Sequence, residues 1–276
     1  MSKTPRATLE RFRLIDAIAQ WEGVVSNARL RELTGLHSVQ VSGLIAAYNK
    51  AFPRQLTHDR AGKCYRLRRG VTIGVSLDQY LHLLMVMQNG GASPSPFVHD
   101  ERIDLTEVKP EIYAALHSAC ANVEALEIDY HSMTHPKGLL RRIGPHSLVR
   151  IGRRWHVRAW CFLRERFADF NLGRIAGARR TLQSNTRTAE FDDAWNTALE
   201  LKLAAHRSLT AEHKRLVRNE MFAGNAGRVL SVRACLIPYV IQDLRAALDP
   251  VKQQPPDYQL EVANRAELRG RLFPSA

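Results

Sequence analysis

Residues 27–52, NARLRELTGLHSVQVSGLIAAYNKAF, decide the fold of the first part of the chain. Ser26 precedes the stretch and can cap a first helix, which Gly35 then ends. Ser38 can cap a second helix that ends before Pro53, because the residue before a proline disfavours helical geometry. Apolar residues recur at helical spacing in both segments. We therefore predict two helices joined by a tight glycine turn.

The flanking segments complete a small domain. Apolar residues at helical spacing from Leu9 to Ala19 predict a helix before this stretch. After it, residues 55–57 and 64–67 alternate about the turn of residues 59–63, which is typical of a two-stranded ribbon. Three helices followed by a basic ribbon is the pattern of a winged helix-turn-helix.

The exposed side of the third helix and the tip of the ribbon carry short, forked or basic side chains, which suit base edges and phosphates. The predicted DNA-binding residues are Arg29, Ser38, Gln40, Ser42, Asn49, Lys50, Arg60 and Lys63. A helical domain with a solvated basic face is the alternative to DNA binding.

Charge is distributed unevenly along the 276 residues, whose formal net charge is +13. Residues 1–75 and 120–190 each hold 13 basic side chains, against 5 and 6 acidic ones, whereas acidic side chains outnumber basic ones in residues 76–119. A surplus that served only solubility would be spread more evenly. Two separate basic blocks favour two electropositive surfaces with polyanions as partners.

The spacing of the apolar residues changes twice in the second half of the chain, first from helical to strand-like and then to a mixture of the two. After a linker-like segment, residues 89–96, and a helix near Thr106–Ala121, several short strands predict a small barrel. The predicted strands are Leu126–Met133, Ser147–Ile151, Trp155–Leu163, Phe167–Leu172 and Arg179–Ser184. From residue 191 we predict helices at Phe191–Leu203, Thr210–Phe222 and Tyr239–Leu248, with strands at Arg228–Leu236 and Tyr258–Val262.

Four segments of this barrel resemble the WYL domain. They are Tyr130-His131-Ser132-Met133, Arg142-Ile143-Gly144-Pro145-His146-Ser147-Leu148, Gly152-Arg153-Arg154-Trp155-His156-Val157-Arg158-Ala159 and Phe167-Ala168-Asp169-Phe170-Asn171-Leu172-Gly173-Arg174-Ile175. The Trp-Tyr-Leu triplet that names the family is Trp155-His156-Val157 here. Histidine in place of tyrosine is similar to the CapW and BrxR type of WYL repressors, which guard phage-defence operons.

The resemblance covers almost the whole chain and implies a homodimeric repressor. The implied fold is α+β: an N-terminal winged helix-turn-helix, a central small Sm/SH3-like β-barrel (the WYL domain) and a C-terminal α/β dimerisation domain. The expected boundaries are 1–75, a helical linker at 76–119, 120–190 and 191–276. The implied partners are double-stranded operator DNA with an inverted repeat and a nucleic-acid or nucleotide effector bound by the WYL domain.

The residues themselves suggest how the barrel would bind an anion. Along a strand from Arg154, His156 and Arg158 lie on one side while Trp155 and Val157 lie on the other. Arginine forks bind phosphate, and an aromatic ring can stack on a base. The predicted ligand-binding residues are His131, Ser132, Arg142, His146, His156, Arg158, Phe170, Asn171 and Arg174. The alternatives are that the histidines are structural and that Arg158 and Arg174 pair with Glu165 or Asp169.

Other chemistries find little support in the sequence. His131 and His135 have the spacing of a helical metal site, but their stretch is strand-like and Pro136 follows, so we predict no metal and no cofactor. No nucleophile elbow or phosphate loop occurs, so we predict that the protein is not an enzyme. Four dispersed cysteines, no apolar membrane-length segment and no secretion signal predict a cytoplasmic protein without a membrane partner.

Two other functions remain open at this point. A protein that binds single-stranded nucleic acid directly with its barrel would prefer unpaired strands to duplex. A transcriptional activator with the same architecture would differ from a repressor only in the sign of its effect.

Overall fold

The computed structural model describes residues 6–71, 73–87 and 107–273, and the chain divides into two compact units, Met1–Glu101 and Arg102–Ala276. The predicted linker-like segment 89–96, the start of the predicted helix at Thr106 and much of the predicted helical linker lie outside the described residues.

In its described residues, the first unit has four helices and a two-stranded ribbon. In chain order these are α1 (Arg6–Trp21), α2 (Asn27–Thr34), α3 (Ser38–Ala51), β1 (Leu56–Asp59), β2 (Cys64–Leu67) and α4 (Leu77–Met87). The strands β1 and β2 pair antiparallel, and Val25 forms a bridge to Tyr65. The apolar stripes of α1, α2 and α3 meet in one core, in which Leu14, Ile15 and Leu30 are fully buried. The predicted winged helix-turn-helix is confirmed.

The second unit begins with α5 (Pro110–Asn122) and an antiparallel sheet of five strands. The strands are β3 (Glu124–Ser132), β4 (His135–Ile151), β5 (Arg154–Cys161), β6 (Arg166–Asn171) and β7 (Ile175–Ser184), in the order β6-β5-β4-β3-β7. The first half of β4 pairs with β3 and its second half with β5. The predicted closure of these strands into an Sm/SH3-like barrel is not confirmed, because no pairing of β6 with β7 occurs among the described residues.

The core of this sheet lies on the side that carries α5. Ile128, Ile143 and Val157 are fully buried there with Leu116 of the helix, and Trp155 packs against them. The predicted alternation along β5 is confirmed: Trp155, Val157 and Ala159 face this core, whereas His156 lines a cleft and Arg158 pairs with Asp192.

The last third of the chain forms a second, mixed sheet with two longer helices. Its elements are α6 (Asp193–Asn196), β8 (Ala198–Ala205), α7 (Ala211–Phe222), β9 (Gly227–Arg233), α8 (Ile237–Asp243), β10 (Ala246–Ala247) and β11 (Leu260–Val262). The strand order is β10-β11-β8-β9, and a final 3-10 helix covers Arg265–Arg271.

The predicted helix over Phe191–Leu203 is wrong over most of its length: its α-helical part is α6 (Asp193–Asn196), and residues 198–203 belong to strand β8. Leu201 and Leu203 are buried while their neighbours Glu200 and Lys202 are not, and this alternation with a period of two is that of a strand. The predicted helix beginning at Thr210 is confirmed: the Thr210 side chain accepts a hydrogen bond from the His213 amide at the start of α7.

In the described parts of the chain, no helix combines the length and the apolar character that a membrane span needs.

Candidate functional site

Helix α3 presents a polar face to solvent. Val41, Leu44 and Tyr48 hold its other side in the core. Of the residues predicted to bind DNA, Ser38, Gln40, Ser42 and Lys50 are exposed and Asn49 is half-buried. The structure therefore brings the predicted α3 residues to one accessible helix face.

Two of these residues also fix the angle between α2 and α3. The side-chain nitrogen Nδ2 of Asn27 donates to the Ser38 carbonyl at 3.0 Å and to Ser42 Oγ at 3.0 Å. In return, Ser38 Oγ donates to Asn27 Oδ1 at 3.2 Å. The predicted capping role of Ser38 is off by one residue: His37 is the N-cap, and its amide donates to Gln40 Oε1 at 3.0 Å. Both serine hydroxyls thus position the helix.

Arg29 is held inside the first unit by ion pairs. Its guanidinium donates to Glu22 at 2.9–3.2 Å and to Glu32 at 2.9 Å, and these hydrogen bonds raise the pKa of Arg29. The Tyr80 hydroxyl of α4 donates to the same Glu22 at 3.0 Å, and burial together with that carboxylate raises the pKa of Tyr80 to about 12. Arg29 therefore ties α2 to the turn that follows α1, next to the attachment of α4, and its side chain is only 17% exposed.

The ribbon of β1 and β2, here called the wing, has a tight tip. Asp59 accepts from the Gly62 amide at 3.0 Å and from Arg66 Nε at 3.1 Å, and both hydrogen bonds lower the pKa of its carboxyl. Lys63 closes the turn with a positive φ of 48°. Arg60 and Lys63 project from this tip and are exposed, as the sequence predicted.

A large cleft of about 750 Å³ opens in the second unit, between the β4–β5 turn and α8. Among the described residues, its lining includes four arginines and one acidic side chain. The lining residues are Met133, Ile151, Gly152, Arg153, Arg154, His156, Arg174, Tyr239, Gln242, Asp243, Arg245 and Phe273. His156 lies in its wall, 7% exposed, and its Nδ1 is buried without a hydrogen-bond partner among the described residues. Burial lowers the pKa of His156, so the imidazole is neutral at neutral pH.

A small cleft of about 280 Å³ adjoins the large one, and the two share Met133 and Arg174. Its other lining residues are Tyr130, Ser132, Thr134, Arg141, Arg164, Ala168, Asp169 and Phe170. Arg141 is 3% exposed, its Nε has no partner in the described structure, and its guanidinium lies 5.9 Å from the Tyr130 ring centroid. A buried cationic group with an unused donor is suited to bind an anion.

Arg158 occupies a different place, in a buried ion cluster where the sheet meets the last third of the chain. Its Nε and Nη2 donate to Asp192 at 2.7 and 3.1 Å, and its Nη1 donates to Asp169 at 3.2 Å. His146 Nε2 lies 3.2 Å from Asp192, in a side chain that is 4% exposed. Burial alone would raise the pKa of Asp192, but the hydrogen bonds with His146 and Arg158 outweigh it and hold that pKa well below its usual range.

Of the predicted ligand-binding residues, Ser132, His156, Phe170 and Arg174 line the clefts. The suggestion that Phe170 stacks on a base is not supported: it is 3% exposed, with its ring edge-on to Tyr130 at 5.0 Å. Arg158 and His146 are in the ion cluster, as the structural alternative had it.

Three further predicted residues are engaged outside the two clefts. Half-exposed His131 lies 3.0 Å from the Pro136 carbonyl. Arg142 donates to Gln183 at 2.9 Å, and Asn171 accepts from the Gly173 amide at 2.9 Å. In the residues that the structure describes, no group of three or more His, Cys, Asp or Glu side chains is arranged to hold a metal ion.

The sequence reasoning missed Arg141, Arg154, Arg164, Arg245 and Tyr239. Arg141 was missed because residues 135–146 were not predicted as strand, so that the side of the sheet on which Arg141 and Arg142 lie could not be assigned. Tyr239 and Arg245 reach the cleft from the last third of the chain, which no local pattern indicates.

Comparison with known families accounts for most of the chain. Residues 7–87 match the winged helix-turn-helix domain of the BrxR transcriptional regulator, residues 111–180 match the WYL domain, and residues 198–268 match the C-terminal dimerization domain of the BrxR transcriptional regulator.

Individual relatives align over nearly their full length. The chain is 32% identical over 277 residues to the DNA-binding transcriptional repressor CapW of Escherichia coli strain KTE188, covering 95% of this chain and 91% of that one. It is 28% identical over 270 residues to the CapW of Pseudomonas aeruginosa, covering 94% and 90%. A solved structure of the proteasome accessory factor B/C of Arthrobacter aurescens matches with 13% identity and a TM-score of 0.30 over 96% of this chain and 46% of that one, a likeness too low to inform on the fold.

Proposed function

The chain belongs to the CapW and BrxR family of DNA-binding transcriptional repressors, and from that premise we propose that it binds an inverted-repeat operator as a homodimer and releases it when a nucleic-acid or nucleotide ligand occupies the two clefts. It is a regulator and not an enzyme. We further propose, from the same family membership, that the operon it controls serves phage defence and that it acts in the cytoplasm.

The DNA-binding half of the proposal is supported by the exposed face of α3 and the exposed cations of the wing. In a winged helix-turn-helix, the recognition helix enters the major groove, and a dimer reads two half-sites about 34 Å apart or a small multiple of that spacing. We assign base contacts to the exposed Gln40, whose Oε1 also accepts from the His37 amide, and phosphate contacts to Lys50, Arg60 and Lys63. Ser38 and Ser42 would then act mainly by orienting the helix through Asn27.

The ligand-binding half is supported by one observation above all. Arg141 Nε and His156 Nδ1 are buried polar atoms without partners in the described structure, and each residue lines one of two adjoining, arginine-rich clefts. Leaving such atoms unpaired costs free energy, which a bound anionic ligand with hydrogen-bonding groups would recover. We propose Arg141, Arg154, His156, Arg164 and Arg174 as its contacts.

The division into domains expected from the sequence fits this proposal. Residues 1–75 together with α4 would bind the operator, α5 together with residues 120–190 would sense the ligand, and residues 191–276 would hold the dimer together.

A binding experiment with the full chain tests the proposal. We expect the protein to prefer the duplex upstream of its own gene over a scrambled duplex, and short single-stranded DNA with a terminal phosphate to release that duplex. Arg174→Ala should keep operator binding but lose release, because Arg174 lines both clefts. Arg166→Ala, an exposed arginine on β6 that is in neither cleft, is the matched control.

Two results would overturn the proposal. Equal affinity for operator and scrambled duplex would remove the repressor function. Tighter binding of the single strand than of any duplex would instead favour the alternative, a single-strand-binding protein that uses the sheet directly.

A further inference from the structure

Tyr239 connects the large cleft to the interior of the second unit. It lies on α8, in the part of the chain that matches a dimerization domain, yet its ring forms part of the cleft wall opposite the sheet. Its ring centroid is 4.9 Å from that of His156 and 5.0 Å from that of Phe273. A ligand that reaches the unpartnered Nδ1 of His156 therefore meets the Tyr239 ring.

The hydroxyl of Tyr239 reaches from the large cleft to a carboxylate of the sheet that lines the small cleft. It donates to Asp169 Oδ2 at 3.2 Å, on strand β6. Burial, together with the negative charge of Asp169, raises the pKa of Tyr239, so the hydroxyl keeps its proton at every physiological pH and remains a donor.

From Asp169 the contacts continue without a gap to α6. Asp169 Oδ1 accepts from Arg158, and Arg158 binds both oxygens of Asp192. Asp192 in turn accepts from the Trp195 amide at 3.2 Å and caps α6, which precedes the first strand of the second sheet. Three successive hydrogen-bonded side chains thus join the cleft wall to the junction between the two sheets.

We propose that Tyr239 is a positioning residue of the ligand site, through which the dimerisation domain reads occupancy of the cleft: a ligand beside His156 displaces the Tyr239 ring and breaks its hydrogen bond to Asp169. This inference rests on the proposed function, since it concerns the response to the ligand placed in the cleft there. The inference adds that the sheet alone is an incomplete sensor, because the response to the ligand also requires Tyr239 of the dimerisation domain.

The Tyr239 hydroxyl can act on the ion cluster because Asp169 accepts from two donors. With Tyr239 bound, Asp169 divides its two oxygens between the hydroxyl and Arg158. Without Tyr239, one oxygen lacks its donor in a half-buried position, so the carboxylate and the Arg158 fork that follows it must readjust. A ligand can shift this equilibrium only by binding the two arrangements with different affinity.

Tyr239→Phe tests the link because it removes the hydroxyl and keeps the ring. The probe is short single-stranded DNA with a terminal phosphate, and three quantities are measured on the full-length dimer: affinity for the probe, affinity for the operator, and the loss of operator affinity at saturating probe. Because Tyr239→Phe already lacks the hydrogen bond that the ligand is proposed to break, we expect its operator affinity without probe to fall towards the value that wild type shows at saturating probe. The further loss of operator affinity on adding probe should therefore shrink by about tenfold. Tyr113→Phe, on α5 and in neither cleft, is the matched control.

Asp169→Asn is a second variant that keeps the Tyr239 ring and hydroxyl in place. It should weaken the same coupling between probe and operator. The double variant Tyr239→Phe/Asp169→Asn should weaken this coupling no more than either single variant does. Wild-type coupling in both variants would overturn the inference while leaving the proposed function intact.

Hydrogen exchange supplies a readout that needs no ligand. In Tyr239→Phe the Trp195 amide should exchange faster than in wild type, because Asp192, whose carboxylate and carbonyl both accept from that amide, stands at the far end of the chain of contacts. If the wild-type dimer ignores the probe, the proposed function fails, and exchange at Trp195 still decides the link: unchanged exchange would overturn it.

Discussion

The two basic blocks of the chain carry nearly the same surplus of positive charge and use it differently. In residues 1–75, Lys50, Arg60 and Lys63 stand in solvent. In residues 120–190, Arg158 is buried in ion pairs and Arg141 is buried beside a tyrosine ring. Net charge therefore predicts the class of partner, whereas burial decides which arginines are available to meet it.

The difference follows from the free energy of solvation. A solvated arginine needs no partner, and its ion pairs contribute little. A buried guanidinium must be matched by carboxylates and hydrogen bonds, because taking a charge out of water costs several kcal/mol. Arg158 meets that condition with Asp169 and Asp192, and so it is part of the fold more than of a binding surface.

The largest expected effect separates these two uses of arginine. Arg158→Ala should destabilise the second unit by about 3–5 kcal/mol, since Asp192 would keep its buried charge and lose its main partner. Denaturant unfolding of the full chain, followed by the fluorescence of the second unit's tryptophans, measures this.

Arg166→Ala serves as the control, because Arg166 is exposed and should change stability by less than about 0.5 kcal/mol. Equal unfolding free energies for the two variants would show that the ion cluster contributes nothing, and the contrast between the blocks would be lost.

The next effect concerns base readout by the first unit. Gln40→Ala should reduce discrimination between operator and scrambled duplex by about 1–3 kcal/mol if its amide contacts a base edge. Ser42→Ala should weaken both duplexes alike, because the Ser42 hydroxyl accepts from Asn27 and orients the helix. Fluorescence anisotropy with both duplexes measures the difference, and a selective loss with Ser42→Ala would reverse the two roles.

The first unit could be predicted almost entirely from sequence because its signals are local. Ser26, Gly35 and Pro53 mark helix ends within a few residues, and the wing follows from alternation about a turn. The candidate DNA face then follows from helical periodicity, apart from Arg29, whose partner Glu22 lies just after the end of α1.

The second unit was predicted less well, because its site depends on contacts that are distant in sequence. Nothing near Arg158 indicates that Asp192 will pair with it, 34 residues later. Tyr239 reaches Asp169 across 70 residues. The error over residues 191–203 was avoidable, since Leu199, Leu201 and Leu203 already alternate with polar residues in the sequence.

A smaller effect tests whether the wing acts only through charge. Arg60→Ala and Lys63→Ala should each weaken operator and scrambled duplex equally, and each should lower the slope of log K against log salt by about one. Arg66→Ala should change the slope less, because Arg66 is paired with Asp59. A salt titration of affinity decides this, and slopes that match wild type for Arg60→Ala and Lys63→Ala would exclude the wing from the interface.

The smallest effect concerns the neutral imidazole in the cleft wall. Burial is the largest cause that lowers the pKa of His156, so below about pH 6.5 the unfolded chain binds a proton that the folded one does not. Stability from this group is therefore present above the unfolded pKa and is lost as the pH falls towards the folded pKa. His156→Gln keeps a polar side chain but does not titrate. Between neutral and mildly acidic pH, its unfolding free energy should fall less than that of wild type, and the difference should be under about 1 kcal/mol. His131→Gln, a half-exposed histidine outside both clefts, is the control. If the stability of both variants follows the wild-type pH dependence, His156 is solvated in the folded protein, and its Nδ1 is not a buried contact for a ligand.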